Sequence, residues 1–238
     1  MAETLRFAVL IPALNPDRIL LGLLAELRRA GVPRVVVVDD GSSGHSAEIF
    51  AAVAGMDSVT LLRHERNVGK GAAIRTALTH VRSRSPELLG AVVMDADGQH
   101  TVADALRVGS VLEEGAGALV LGVRGFEGDV PFRSRLGNAI SAGLFGLLTG
   151  LKLSDVQTGL RGIPEDLAPQ FLALRGERYE FETEMLMLCG ARRIPVREVP
   201  IETIYSDGNV SSHFRPLRDS LRVLRCLLGF RAGAGFES

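Results

Sequence analysis

The sequence predicts an α/β fold: a mainly parallel central sheet flanked by helices, with an irregular C-terminal half. Two observations predict it. Short apolar or β-branched runs alternate with helix-like stretches through the first half of the chain. Two acidic segments also follow directly on two of those runs, at what would be the carboxyl ends of strands. In order, residues 7–11 read as a strand and 17–30 as an amphipathic helix stopped by Gly31. The β-branched run 35–38 is a second strand, 46–54 a short helix and 59–62 a third strand. A helix over 69–84, a strand over 91–94, a helix over 102–114 and a strand over 118–122 complete this half. Such alternation implies right-handed βαβ units.

The second half is less periodic. A helix is expected over 133–148, a short strand over 160–163 and a helix over 181–190. Strands over 196–199 and 202–205 are expected to be broken by Pro200. Residues 216–230 read as an amphipathic helix, docked on the domain or, as the alternative, lying on a membrane surface, with Leu217, Leu221, Leu224 and Leu228 on one face. Neither an internal repeat nor a long linker is visible. The expectation is a single domain over 1–230: a nucleotide-binding half to about 125, an acceptor half over about 126–215, and the terminal helix.

Composition narrows the class. Apolar residues make up 46% and charged residues 23%, ordinary globular usage. A formal net charge of −1 gives no overall field favouring nucleic acid. The 27 basic residues include only two lysines, Lys70 and Lys152, a skew that a GC-rich genome would produce. Cys189 and Cys226 form neither a disulfide framework nor a metal-ligand spacing. The N-terminus has no signal-peptide pattern, and no apolar stretch reaches spanning length; residues 139–151 come nearest but are punctuated by Gly143, Gly146 and Gly150. A cytoplasmic protein is expected, free or at the cytoplasmic face of a membrane.

The most informative motif is Asp95-Ala96-Asp97-Gly98-Gln99-His100, after the apolar run ending at Met94. Carboxylates at a strand's carboxyl end suit a hard divalent cation that also touches phosphate. Val38-Asp39-Asp40-Gly41-Ser42-Ser43 is a second acidic strand end, and the two ends would converge on one crevice. Asn67-Val68-Gly69-Lys70-Gly71 has the residues of a phosphate loop, but its frame fits neither the Walker nor the dinucleotide pattern. It reads instead as a helix N-terminus close to a nucleotide. Arg124, Arg133 and Arg135 follow the fifth strand and would meet a diphosphate or an anionic acceptor.

Together with Ile11-Pro12-Ala13-Leu14-Asn15 and Gln157-Thr158-Gly159, these motifs occur in an order that resembles the inverting glycosyltransferases of family 2, with the GT-A fold. More narrowly, the chain resembles the dolichyl- and polyprenyl-phosphate sugar transferases. The resemblance implies a UDP- or GDP-sugar donor, Mg²⁺ or Mn²⁺ as cofactor, and a polyprenyl phosphate acceptor reached by peripheral membrane contact. It implies Pro12, Ala13, Asn15, Asp40, Lys70 and Asp95 on the nucleotide, and Asp95, Asp97 and Gln99 on the metal. Asp97, Arg124 and Arg135 would serve the transfer itself. Arg133, Gln157, Glu182, His213 and Arg215 are acceptor or loop candidates, Glu182 being the first choice for a general base if the acceptor is a hydroxyl. Two departures stand out: Pro16 replaces the family's usual acidic residue, with Asp17 one position late, and no membrane spans follow. Rival readings are a transferase acting on a saccharide or protein hydroxyl, and a nucleotide-sugar-binding protein without turnover. A sugar-phosphate nucleotidyltransferase would carry a Gly-rich, Arg-containing loop where Pro12-Ala13-Leu14-Asn15 stands.

Overall fold

The computed structural model describes residues 4–115, 117–124, 143, 145–147 and 149–202. In chain order its elements are β1 (Phe7–Ala13), α1 (Ile19–Arg29), β2 (Arg34–Asp39), α2 (Ala47–Ala54), β3 (Val59–Arg63), α3 (Lys70–Arg84), β4 (Gly90–Val93), α4 (Val102–Glu113) and β5 (Leu119–Arg124). Then come β6 (Arg161–Pro164), α5 (Ala168–Leu172), α6 (Glu180–Arg192) and β7 (Val196–Ile201). The strands form one sheet in the order β3-β2-β1-β4-β6-β5-β7.

Side-chain alternation along β1 builds both faces of this sheet. Phe7, Val9 and Ile11 pack with Leu20, Leu24 and Leu27 of α1 and Val108 and Leu112 of α4. Ala8 and Leu10 point the other way, to Ile74 and Leu78 of α3 and Phe181 and Met185 of α6. Both faces are covered, so the inner strands are apolar without interruption, as in Val35 to Val38.

The sheet is parallel except at β6, which runs antiparallel between β4 and β5. This reversal matters for function. β1 pairs with β2 on one side and β4 on the other, so the strand order changes direction there and a crevice opens at the strand tips. Val93 lies opposite Arg161, so β6 begins where β4 ends, and residues 155–160 arrive at the same crevice.

Several expectations are corrected. β7 runs unbroken through Pro200, which pairs with Val123. It lies at the edge of the sheet, where a missing N–H can face outward without interrupting the ladder. A 3₁₀ turn over Gly44–Ser46 precedes α2, and α5 was not anticipated. Residues 143, 145–147 and 149, expected as helix or its margin, are helical. The rest of the 133–148 stretch except 143 and 145–147, the 203–205 part of the last expected strand, and the 216–230 helix lie outside the described residues.

Candidate active site

The tips of β1, β2 and β4 bring together Pro12 and Ala13, Asp39 and Asp40, and the Asp95–Asp97 turn. The backbone stitches these tips: Asp40 N–H donates to Ala13 O at 2.9 Å and Met94 N–H to Leu10 O at 2.9 Å. Asn15, with φ of 48°, ties the first turn to the second. Its N–H donates to Ser42 Oγ at 2.8 Å, and its Oδ1 accepts from Ser43 N–H at 2.8 Å and Ser43 Oγ at 3.0 Å.

The two carboxylates after β2 have different environments. Asp39 is half-buried and accepts from Ser42 N–H at 2.9 Å, closing its turn. Asp40 is 3% exposed and organises the loop before α3. It accepts from Val68 N–H at 3.0 Å and Gly69 N–H at 2.8 Å, and its Oδ1 lies 2.7 Å from His64 Nδ1. With Nδ1–H donating to Asp40, His64 Nε2 accepts from the Thr76 hydroxyl at 3.0 Å. Asp40 thus stands in the wall of the predicted nucleotide pocket, holding the loop that delivers Lys70.

Gly69 precedes α3 with φ of 132°, and a Cβ there would lie 2.4 Å from Glu177 O. The tight approach to the segment before α6 sets the course of α3, whose first residue is Lys70. A cation opposes the positive end of a helix, so it needs local anions. Lys70 Nζ finds two: Asp95 Oδ1 at 2.8 Å and Glu182 Oε1 at 3.1 Å. Burial works against the ammonium, but Asp95 and Glu182 together outweigh it and hold the Lys70 pKa above the ordinary range. Burial likewise works against the Asp95 carboxylate, and the charge and hydrogen bond of Lys70 together with His100 and Arg161 outweigh it, keeping Asp95 below the usual carboxylate value.

The other side of Asp95 is walled by the Gln157-Thr158-Gly159 turn. A Cβ on Gly159 would stand 2.2 Å from Asp95 Oδ2 and 3.0 Å from Lys70 Nζ. Thr158 Oγ1 donates to Gly122 O at 2.5 Å, and Gln157, itself exposed, donates its N–H to Asp155 Oδ1 at 3.0 Å. Arg161, 2% exposed, fastens this turn to α6: its Nε donates to Thr158 O at 3.0 Å and its Nη1 to Glu182 O. The Glu182 carboxylate lies 3.8 Å from the same guanidinium. Arg124, at the end of β5, is forked onto the fully buried Asp155 at 2.7 and 3.1 Å.

These groups balance with one exception. Lys70, Arg124 and Arg161 face Asp95, Asp155 and Glu182 in ion pairs. Asp97 has no ion pair among the described residues; it accepts the Gln99 N–H at 3.1 Å. Burial, then the neighbouring Asp95 charge, raise its pKa above the usual value. His100 closes the floor, 7% exposed, with Nε2 3.9 Å from Asp95 Oδ2 and Nδ1 without a hydrogen-bond partner among the described residues. Burial lowers its pKa, so it is neutral near pH 7.

For a divalent cation the donor chemistry fits: Asp97 is a half-buried carboxylate lacking a counter-charge among the described residues, beside Asp95 and the half-buried Gln99. Among the described residues no three His, Cys, Asp or Glu form a ready cage, so the remaining ligands would be phosphate oxygens and water. Sequence reasoning missed His64, Arg161 and the packing role of Gly159. Gly159 and Arg161 carried a signal, as parts of the polar turn 155–161, but their partners lay elsewhere in the chain. Arg133, Arg135, His213 and Arg215 lie outside the described residues.

An α/β sheet with acidic tips at its switch point is the architecture of the GT-A glycosyltransferases. Solved structures share it. One is glucosyl-3-phosphoglycerate synthase from Mycobacterium tuberculosis in complex with Mn²⁺, UDP-glucose and phosphoglyceric acid, with a TM-score of 0.70 and 20% identity over 97% of this chain and 81% of that one. Residues 8–168 match the model of glycosyl transferase family 2, and the chain belongs to that family. It is a glycosyltransferase enzyme using a nucleotide sugar. An uncharacterised protein of Methanocaldococcus jannaschii is 32% identical over 209 residues, 85% of this chain and 83% of the relative. The UDP-N-acetylglucosamine–dolichyl-phosphate N-acetylglucosaminyltransferase of Methanococcus voltae is 28% identical, over 89% of this chain and 90% of its own. The dolichyl-phosphate beta-glucosyltransferase of Drosophila melanogaster is 28% identical, over 90% of this chain and 71% of its own. No helix among the described residues is long and apolar enough to cross a membrane.

Proposed function

We propose that this chain transfers a sugar, with inversion, from a UDP- or GDP-sugar to a polyprenyl phosphate. One observation carries the acceptor reading: among the described residues, Asp95, Asp155 and Glu182, the carboxylates facing Lys70, Arg124 and Arg161, are each held in an ion pair. A hydroxyl acceptor would need a general base within reach of its proton. A phosphate acceptor arrives as an anion and needs none. The names of the Methanococcus and Drosophila relatives support the same acceptor class.

In this reading an acceptor phosphate oxygen bonds to the anomeric carbon as the bond from that carbon to the donor diphosphate breaks. Pro12, Ala13, Asn15 and Asp40 frame the base, and Lys70 and Asp95 the nucleotide beyond it. Asp97, with Asp95 and Gln99, would hold Mg²⁺ or Mn²⁺, which stabilises charge on the departing diphosphate. Arg124 and Arg135, with Arg133, Gln157, His213 and Arg215 as further candidates, orient the acceptor. The chain acts as one domain over 1–230, its first 125 residues serving the donor and 126–215 the acceptor, at a membrane surface.

The test supplies radiolabelled UDP- and GDP-sugars with Mg²⁺ or Mn²⁺, with and without short polyprenyl phosphates. Label passing into an organic-extractable product is expected, and Asp97→Asn lowers it by roughly 10²-fold or more. Label that stays in water while the donor demonstrably binds moves the acceptor to a hydroxyl. An Asp97→Asn enzyme with near-normal, metal-dependent turnover removes Asp97 from the reaction.

A further inference from the structure

Glu182 comes from α6, in the second half of the chain, yet its carboxylate reaches the ammonium that also holds Asp95. Only 7% of the residue is exposed, so this is an interior contact. Its backbone carbonyl is bound by Arg161, whose Nε holds the Thr158 carbonyl beside the Gly159 wall. Asp95 is therefore confined from two directions, by Lys70 on Oδ1 and by the Gly159 backbone on Oδ2. Both restraints lead back to Glu182.

We propose that Glu182 is a positioning residue, acting by sharing the Lys70 ammonium with Asp95 so that Asp95 retains negative charge for the nucleotide's divalent cation. The inference rests on the metal-dependent donor site proposed above. Its physical basis is charge partition at short range. One ammonium between two carboxylates leaves a net negative group, whereas one ammonium on Asp95 alone neutralises it. The same placement argues against Glu182 as the general base for a hydroxyl acceptor. A carboxylate lying between Lys70 and Arg161 is a counter-ion in the interior.

The experiment measures Mn²⁺ binding by electron paramagnetic resonance in the presence of UDP, alongside kcat, the donor KM and the pH–rate profile. The proteins are wild type, Glu182→Gln and the Lys70→Met/Glu182→Gln double variant. Thermal melts establish that each is folded. The expected result is Mn²⁺ binding weakened about 10- to 100-fold in Glu182→Gln, the range for losing a group that supports a metal ligand. The donor KM rises with it, and the acid limb of the pH–rate profile is retained. The double variant, which restores the net charge facing the cation, recovers most of the Mn²⁺ affinity. It also carries the test if Glu182→Gln does not fold: weak Mn²⁺ binding by the folded double variant then overturns the proposal. Unchanged Mn²⁺ affinity in a folded Glu182→Gln protein overturns the proposal as well. If kcat alone falls and the acid limb disappears, Glu182 is a base instead. Wild-type protein that binds neither UDP nor Mn²⁺ defeats the donor-site reading itself, a result visible before any variant is compared.

Discussion

A single missing carbon at position 159 lets the Asp95 carboxylate occupy its place. Any Cβ there would sit 2.2 Å from Asp95 Oδ2, a distance no real pair of atoms sustains. Gly159→Ala must therefore displace either the turn or the carboxylate. The turn is anchored by the Thr158 hydroxyl on Gly122 and by Arg161 on the Thr158 carbonyl, so Asp95 is the part that moves. The expected outcome is a folded protein, destabilised by about 1–3 kcal/mol as for other overpacked sites. Its transfer rate falls about 10²-fold, the scale of misplacing a reacting group's support by about an ångström. Urea unfolding and steady-state kinetics check the two halves separately. A Gly159→Ala enzyme with wild-type kcat/KM would show that Asp95 need not stay where Lys70 holds it. Nothing in the sequence marks this contact: Gln157-Thr158-Gly159 is recognisable as a motif, but its meaning lies in antiparallel strand β6 starting beside the end of β4.

At the scale of elements, the loop between β3 and α3 depends on one carboxylate. Asp40 accepts two backbone N–H groups and faces His64, which in turn reaches Thr76 on α3. An amide in its place keeps one acceptor oxygen but turns an NH₂ group toward donors. Asp40→Asn should cost about 2–3 kcal/mol, the range for a buried charged acceptor left mismatched. The donor KM should rise as Lys70 loses its fixed approach, with kcat affected less. Chemical denaturation and donor titration measure both, and an unchanged KM would detach this loop from nucleotide binding. The elements themselves were legible to different degrees. β1 to β5 and their helices could be read because a doubly covered sheet needs uninterrupted apolar strands, and Val35 to Val38 or Ala91 to Met94 supply them. β6, four residues from Arg161 to Pro164, is too short to carry a period, and its direction is set entirely by tertiary pairing. Pro200 suggested a break because local rules penalise proline in strands. Its edge position, which removes the penalty, belongs to the sheet and not to the segment. The acidic tips were legible as a crevice, whereas the division of labour between Asp39 and Asp40 depended on a loop whose path no local pattern encodes.

For the whole molecule, the buried titratable groups define how stability depends on pH. A group whose folded pKa lies below its unfolded value contributes stability above the unfolded pKa and loses it as pH falls, because the unfolded chain then binds more protons. His100 and Asp95 both belong to this class, from 6.5 and 3.8 respectively. Lys70, raised from 10.5, has the opposite sign: its contribution is present below 10.5 and is lost as pH rises through the folded value. Asp97 is also raised, from 3.8, so protonation in the window above that value favours the metal-free fold and partly offsets Asp95. The metal-free protein should thus have a plateau from about pH 7 to 9: its alkaline limb opens first at Cys189, where burial pushes the thiol from 9.0 up to about 12, and its acid limb opens as His100 titrates. His80 contributes to that limb too, since burial followed by Arg84 and Arg34 lowers its pKa. His100 is the larger contributor because it is buried, with no hydrogen-bond partner for Nδ1 among the described residues, whereas His80 is half-buried. His100→Gln should therefore flatten the fall in stability between about pH 7 and pH 5, by no more than about 1.4 kcal/mol per pH unit, the limit for one proton. Urea midpoints for both proteins at the two ends of that window measure it. A His100→Gln protein with the wild-type slope would place the acid sensitivity elsewhere in the chain, whereas a flattened slope would mean that the floor of the nucleotide site is also where acid first destabilises the fold.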